Sequence, residues 1–281
     1  MKVLVTGANG QLGYDVIKRL NALGDEPVDA DREEFDITDG KATEDYITAL
    51  RPDAIVHCAA YTAVDKAEDD RDTCRKVNVD GTRNIALACE KIGAKLVYIS
   101  SDYVFGGSGT QPLEIDAPKD PQNIYGITKL GGEEEAKKCQ KHFIVRTSWV
   151  FGINGGNFVK TMLRLADSHE KLTVVDDQTG SPTYTPDLAR LICDMIKTEK
   201  YGTYHASNEG YCTWAEFAKE IMRQAGKATE IVPCTTAEYP AKAKRPENSR
   251  LSKKCLDDAG FDRLPPWQDA LARFLKELDL A

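Results

Sequence analysis

The first two dozen residues constrain the fold more than any other stretch. An apolar run, Lys2–Thr6, passes into Gly7-Ala8-Asn9-Gly10-Gln11-Leu12-Gly13. Val16, Ile17, Leu20 and Leu23 then recur at helical spacing up to Gly24. A buried strand that turns through three glycines into an amphipathic helix needs those glycines. The chain must bend sharply, its backbone must come close to a diphosphate, and the helix must pack against the strand it left. The helix start then offers unpaired N–H groups and a favourable dipole to the anion. The pattern is GxxGxxG rather than GxGxxG, so its weight comes from context: strand before, helix after.

The alternation continues. Pro27–Asp31 reads as a weak strand, Thr43–Leu50 as a helix stopped before Pro52, and Ala54–Ala60 as a buried strand. Val79–Ile92 is helical and ends at Gly93, Lys95–Ser100 is a strand, Tyr125–Lys138 a helix and Phe143–Thr147 a strand. Continuously apolar strands between amphipathic helices predict an α/β fold, a doubly wound parallel sheet covered on both faces. After residue 150 the rhythm loosens. Asn157–Asp167, Pro186–Lys197, Thr213–Ala225 and Pro266–Leu278 read as helices and Gly202–Ala206 as a strand, while 228–254 reads as irregular. The expected division is a Rossmann-type domain over 1–151 and a smaller carboxyl-terminal α/β substrate lobe over 152–281, with elements near 184–206 able to return to the main sheet.

Charge narrows the partners. The 281 residues carry a net charge of −8, of which residues 1–150, with 19 basic and 26 acidic side chains, hold −7. Nucleic acid and anionic membranes call for a basic field, so neither is expected as a partner. No apolar run approaches the roughly 20 residues that span a bilayer. The amino terminus lacks a signal peptide's apolar stretch, which places the protein in the cytoplasm. Eight cysteines without CxxC spacing read as buried thiols, and four histidines without HExxH give no reason to expect a metal.

Asp31 stands 18 residues after Gly13, where an acid can bind the adenosine ribose and repel a 2′-phosphate; Arg32 beside it could attract that phosphate. The pair leans towards NADH and leaves NADPH open, and Asp36-Ile37 could flank the adenine. Tyr125-Gly126-Ile127-Thr128-Lys129 is YxxxK, which puts a phenol and an ammonium on one helix face. A neighbouring cation favours phenolate, lowering a pKa ordinarily near about 10 towards the working range of a proton relay. Ser101 and Asp102 follow a buried strand, at the end where open α/β sheets bind ligands. Ala59-Ala60-Tyr61-Thr62 follows another such strand, small enough for a cofactor to lie against its backbone.

These residues together resemble the extended short-chain dehydrogenase/reductase family and, within it, the dTDP-4-dehydrorhamnose reductases. The general likeness rests on Gly7, Gly10, Gly13, Ser101, Tyr125 and Lys129. The narrower one runs through Arg51-Pro52-Asp53, Ala60–Glu68, Ser101–Phe105, Arg146–Val150, Asn157–Met162, Asp177–Thr183 and Arg245–Leu251. The resemblance implies NAD(P)H-dependent reduction of the 4-keto group of a dTDP-linked 4-keto-6-deoxy sugar. Carried over by position, Tyr125 is the acid, Lys129 its modulator and Ser101 the carbonyl partner. Gly7, Asn9, Gly10, Gln11, Leu12, Asp31, Arg32, Asp36, Ile37, Cys58, Ala59, Ala60 and Thr62, with Tyr125 and Lys129, fall to the cofactor. Val64, Asp102, Val104, Trp149, Asn157, Gln178 and Arg250 fall to the substrate. Lys242–Lys254 carries six cations against Glu247, a local +5 in which Arg250, with Arg245, is expected to meet the sugar-nucleotide diphosphate. A metal-bridged dimer occurs in some relatives, but its acids find no match here, so the expectation is no metal and a monomer or homodimer. A sister nucleotide-sugar reductase or epimerase stays open. So does a non-catalytic NAD(P)-binding subunit like that of methionine adenosyltransferase.

Overall fold

The computed structural model describes residues 1–239 and 241–279. Its first half runs β1 (Lys2–Thr6), α1 (Gln11–Ala22), β2 (Glu26–Ala30), α2 (Gly40–Leu50), β3 (Ala54–His57), α3 (Val64–Ala67), α4 (Arg71–Arg75), α5 (Thr82–Ile92), β4 (Lys95–Ser101), α6 (Ile124–Ala136) and β5 (His142–Thr147). The second runs β6 (Val150–Phe151), α7 (Phe158–Ala166), β7 (Lys171–Val175), β8 (Thr179–Gly180), β9 (Thr183–Tyr184), α8 (Thr185–Ile196), β10 (Gly202–His205), β11 (Cys212–Thr213), α9 (Trp214–Gln224), β12 (Glu230–Cys234), α10 (Lys254–Ala259) and α11 (Trp267–Glu277).

Six strands form one parallel sheet in the order β2-β1-β3-β4-β5-β10. Its strands are apolar throughout because both faces are covered. Val3, Val5, Val56, Val97 and Val145 face α1 and α8. Leu4, Ile55, Leu96 and Ile144 face the opposite way, into a core with Ile47 of α2 and Ile85 of α5. The strand order reverses between β1 and β3, and the crevice at such a reversal, beyond the carboxyl ends, is where this architecture receives ligands. The chain comes back to the sheet with α8 and β10, and β10 pairs with β5.

Apart from α10, whose Cys255 and Leu256 join the core under α8, the remaining elements of the second half have a core of their own, with Phe151, Val159, Leu163, Phe217, Ile221 and Phe274. Two features depart from the sequence reading. The stretch read as irregular contains β12, which pairs in parallel with β7, a strand the sequence reading lacked. Pro233 sits in β12 because a two-stranded ribbon has an open edge for a residue without an N–H. The helix expected from Val79 begins earlier, at Arg71, and passes through a π-helical turn, Lys76–Gly81, before α5. Such turns are rare and concentrate at functional sites. Among the described residues no helix is long and apolar enough to cross a membrane.

Candidate active site

A cleft of about 970 Å³ opens at the carboxyl ends of the sheet. Its floor is the glycine turn. Gly7 has φ +67°, and a Cβ there would lie 2.7 Å from the Ala59 nitrogen, so only glycine lets the first two crossovers meet. The Gly10 N–H closes the turn onto the Gly7 carbonyl at 3.0 Å, while the N–H groups of Gln11 and Leu12, in the first turn of α1 and in the cleft lining, have no partner within the helix. That is a cradle for a diphosphate. Ala59, Ala60 and Thr62 form the adjoining wall, with Cys58, whose thiol is pushed up to about 12 by burial.

The far end of the cleft carries Asp31, Arg32, Asp36 and Ile37 as expected, and also Phe35, Thr73 and Lys76, which the sequence reading missed. Asp31 accepts a hydrogen bond from the Asn9 N–H at 2.9 Å, and its own N–H donates to Glu34 at 2.7 Å. Arg32, with its side chain 89% exposed, reaches Asp36 at 3.4 Å. The N–H and hydroxyl of Thr38 hold the Asp36 carboxyl below its ordinary range, helped by Arg32 and Lys76.

Ser101 ends β4, and Tyr125 and Lys129 lie on α6, all three lining the cleft. Asn123 caps α6, accepting from the Gly126 N–H at 2.8 Å. Gly126 lets the helix press against the loop after β4, since a Cβ there would stand 2.2 Å from the Tyr103 carbonyl oxygen. Tyr103 then meets Tyr125 edge to face, 5.4 Å between centroids. The expected charge relation between Tyr125 and Lys129 gives way to burial. Burial pushes the Tyr125 phenol well above its ordinary value, while the Ser101 hydroxyl beside it pulls back. Burial also lowers Lys129 to about 7, against the pull of Glu133. Lys129 Nζ sits over the Tyr98 ring, 4.2 Å from its centroid. A phenol kept protonated is a proton donor in waiting.

Asp102, Val64 and Trp149 also line the cleft. Trp149 has φ +49° and stacks on Trp214, 3.6 Å between centroids, with Phe158 against the far ring. A non-glycine residue in that conformation persists only where its surroundings impose it. Trp214 and Phe158 carried no signal in the sequence, because aromatics at helical spacing look like ordinary core.

Five expected contacts do not reach the cleft wall. The Asn9 side chain lies outside the cleft lining, while its backbone serves Asp31 and Asn154. Val104 is fully buried against Phe105 and Leu251. Asn157 caps α7 and donates to Gln11 at 3.1 Å. Gln178 donates to Thr236 at 3.0 Å. Arg250 donates to Asn248 at 2.9 Å. The basic stretch is also less free than its count implies. Lys242 pairs with Asp69, Arg245 with Asp65 at 2.7 Å and Lys254 with Asp258 at 3.0 Å. Arg250 has no carboxylate partner among the described residues.

Residues 1–280 match the family described as the RmlD substrate binding domain. The dTDP-4-dehydrorhamnose reductase of Streptomyces griseus is 39% identical over 95% of this chain and 91% of its own. This chain belongs to the dTDP-4-dehydrorhamnose reductase family. Within that family, the crystal structure of the Bacillus anthracis reductase in complex with NADP superposes with a TM-score of 0.96. It has 45% identity, over 98% of this chain and 99% of that one. The spore coat polysaccharide biosynthesis protein SpsK of Bacillus subtilis is 44% identical, covering 98% and 97%.

Proposed function

We propose that this protein reduces the 4-keto group of dTDP-4-dehydro-L-rhamnose to give dTDP-L-rhamnose, with NAD(P)H as reductant, in the cytoplasm. The observation that carries the reading is the convergence of Ser101, Tyr125 and Lys129 on the same cleft as the Gly7–Leu12 cradle. The cradle fits a dinucleotide: free N–H groups at the start of α1, and backbone approach that only glycine permits at Gly7. When bound, the reduced nicotinamide supplies the hydride.

The chain's own groups supply the rest. Gly10, Gln11 and Leu12 would hold the diphosphate, and Asp31 the adenosine ribose. Asp31 favours NADH, while the exposed Arg32 leaves room for NADPH. Ser101, whose single proton rests on Asp102 Oδ1 in the free protein, would turn it to the sugar carbonyl oxygen when the substrate binds. Tyr125 delivers its proton to that oxygen as charge develops there, which is general acid catalysis. Lys129 would hold the nicotinamide ribose and, when charged, draws the phenol's pKa down as the proton leaves. Residues 152–281, apart from α8 and β10, form the substrate lobe, and its Trp214 stacks on Trp149 of the cleft wall, where the sugar would lie. Arg250, with its uncompensated charge, is the guanidinium we assign to the sugar-nucleotide diphosphate.

The deciding experiment supplies the dTDP-4-keto sugar, generated with its epimerase, and follows NADH and NADPH oxidation by the loss of the reduced cofactor's absorbance. Oxidation that depends on the sugar is expected. None with either cofactor would overturn the reading.

A further inference from the structure

One buried charge pair lies directly behind the catalytic face and has no part in the chemistry above. Glu133 is fully buried on α6, one turn beyond Lys129, and Arg146 is 2% exposed on β5. The guanidinium grips the carboxylate twice: Nε donates to Oε1 and Nη2 to Oε2, both at 2.7 Å. Ser100, next to the catalytic Ser101, donates to the same Oε1 at 2.6 Å. Arg146 donates onward to the Ile115 carbonyl at 2.8 Å and lies 3.3 Å from His205 Nε2 of β10. Burial keeps His205 neutral, with a pKa of about 3. One carboxylate therefore joins the helix bearing Tyr125 and Lys129 to the end of the strand bearing Ser101. It also joins both to the strand that leads into Trp149.

We propose that Glu133 is a positioning residue of this reductase. Its three hydrogen bonds fix α6 against the ends of β4 and β5, and its negative charge is part of the field in which Lys129 holds its proton. The proposal rests on the reading of Ser101, Tyr125 and Lys129 as the catalytic groups.

Stability alone gives a weak reason for such a pair. Taking two charges out of water costs about as much as their attraction returns, so apolar residues of the same size would serve a core as well. The groups facing Lys129 are few. Glu133 raises its pKa; Cys58 after β3 and Cys74 of α4 act in the same direction; His57 is neutral, and Tyr98 and Tyr125 are protonated phenols. Glu133 in turn faces Arg146, Ser100 and, from the loop before α6, Lys119. Glu133 is thus the nearby carboxylate that favours the ammonium. Removing it lowers the pKa of Lys129 further, and lysine loses its proton at lower pH.

The test compares Glu133→Gln, Glu133→Asp and Tyr125→Phe with the wild type in the sugar-dependent assay. NADH binding is measured by fluorescence. Glu133→Gln is expected to lose at least tenfold in kcat with KM for NADH within threefold, and its alkaline limb moves to lower pH by about one unit. Glu133→Asp keeps the charge, so its limb stays at the wild-type position even where kcat falls. Should Glu133→Gln fail to fold, the double variant E133Q/R146M, with no unpaired buried charge, is expected to fold, to bind NADH and to lose at least tenfold in kcat, because the bidentate tie from α6 to β5 is gone. A folded Gln or double variant with wild-type kcat and limb overturns the proposal, as does a limb that moves equally in the Asp variant. Tyr125→Phe separates the two levels: wild-type turnover there overturns the catalytic reading itself. An inactive Tyr125→Phe beside an unaltered Glu133→Gln overturns this proposal alone.

Discussion

Ser101 and Asp102, consecutive at the end of β4, are joined by a hydrogen bond: Ser101 Oγ donates to Asp102 Oδ1 at 2.8 Å. Ser249 Oγ donates to the other carboxylate oxygen at 2.5 Å, so the carboxylate also ties the Arg245–Leu251 segment to the cleft. Burial pushes Asp102 up to about 6, the two serines only partly opposing it. A carboxyl whose folded pKa is raised costs stability as it ionises. The cost is absent below the unfolded value near 3.8, grows as pH rises towards about 6, and is complete above that. At about 1.4 kcal/mol per unit it is on the order of 3 kcal/mol. Asp102→Asn is therefore expected to raise Tm at pH 8 by several degrees and to match the wild type near pH 4. Its kcat falls at least tenfold, because Ser101 loses its charged partner. Thermal unfolding at the two pH values checks the first part; an equal Tm difference at both would remove ionisation as the cause.

Tyr125→Phe keeps the ring that Tyr103 packs against and removes only the proton donor. General acid catalysis is worth about 10²- to 10⁴-fold, so turnover should fall by that much. The cradle for the cofactor is untouched, and the dissociation constant for NADH is expected to stay within twofold by fluorescence titration. Turnover near wild type would reassign the acid.

The parts of this molecule that sequence made legible are those where one physical cause dominates. Val3, Leu4 and Val5 had to be a strand covered on both sides, and Gly7 had to be the turn, because nothing larger fits against Ala59. Tyr125 and Lys129 were legible from the i, i+4 geometry of a helix. What escaped depends on partners far along the chain. β7 and β12 pair across more than fifty residues, and Pro233 disguises one of them. The basic stretch 242–254 looked free because its carboxylates, Asp65 and Asp69, belong to the first half. Val104 looked like a cleft residue because its neighbours Ser101 and Asp102 are, but the short 3₁₀ turn that follows β4 sends it into the core beside Leu251. The direction of the Tyr125 shift was misjudged because burial, which sequence does not display, sets it.

Asp65, next to Val64 of the cleft lining, and Arg245 clasp through two hydrogen bonds at 3.0 and 2.7 Å, with the Ala243 N–H adding a third at 2.9 Å. The guanidinium holds the Asp65 carboxyl down to about 2, so the clasp persists across the working range and weakens only as pH falls through about 2. Asp65→Ala is expected to raise KM for the dTDP-sugar about fivefold while KM for NADH stays unchanged, since the segment it holds leads to Ser249 and Arg250. The effect should be alike at pH 6 and pH 8. A KM for NADH that rises in step would show that the clasp serves the whole cleft rather than the substrate side.

Two neighbours with opposite charges, Asp31 and Arg32, line the far end of the cleft. Asp31 is fixed by the Asn9 N–H at 2.9 Å, whereas Arg32 is held only by an exposed contact with Asp36, which competes poorly with a phosphate. The structure of the Bacillus anthracis relative contains NADP, so a 2′-phosphate is tolerated in the family. For this chain, kcat/KM is expected to be higher with NADH. Arg32→Ala should lower kcat/KM for NADPH about tenfold and leave NADH within twofold, because only the 2′-phosphate meets the guanidinium. Asp31→Ala should act oppositely, lowering NADH through the lost ribose contact and raising NADPH through lost repulsion. Steady-state kinetics of both variants with both cofactors, at one ionic strength, measure the four ratios. Equal losses with NADH and NADPH in Arg32→Ala would move the 2′-phosphate site elsewhere, to Lys76 on the facing wall of the cleft.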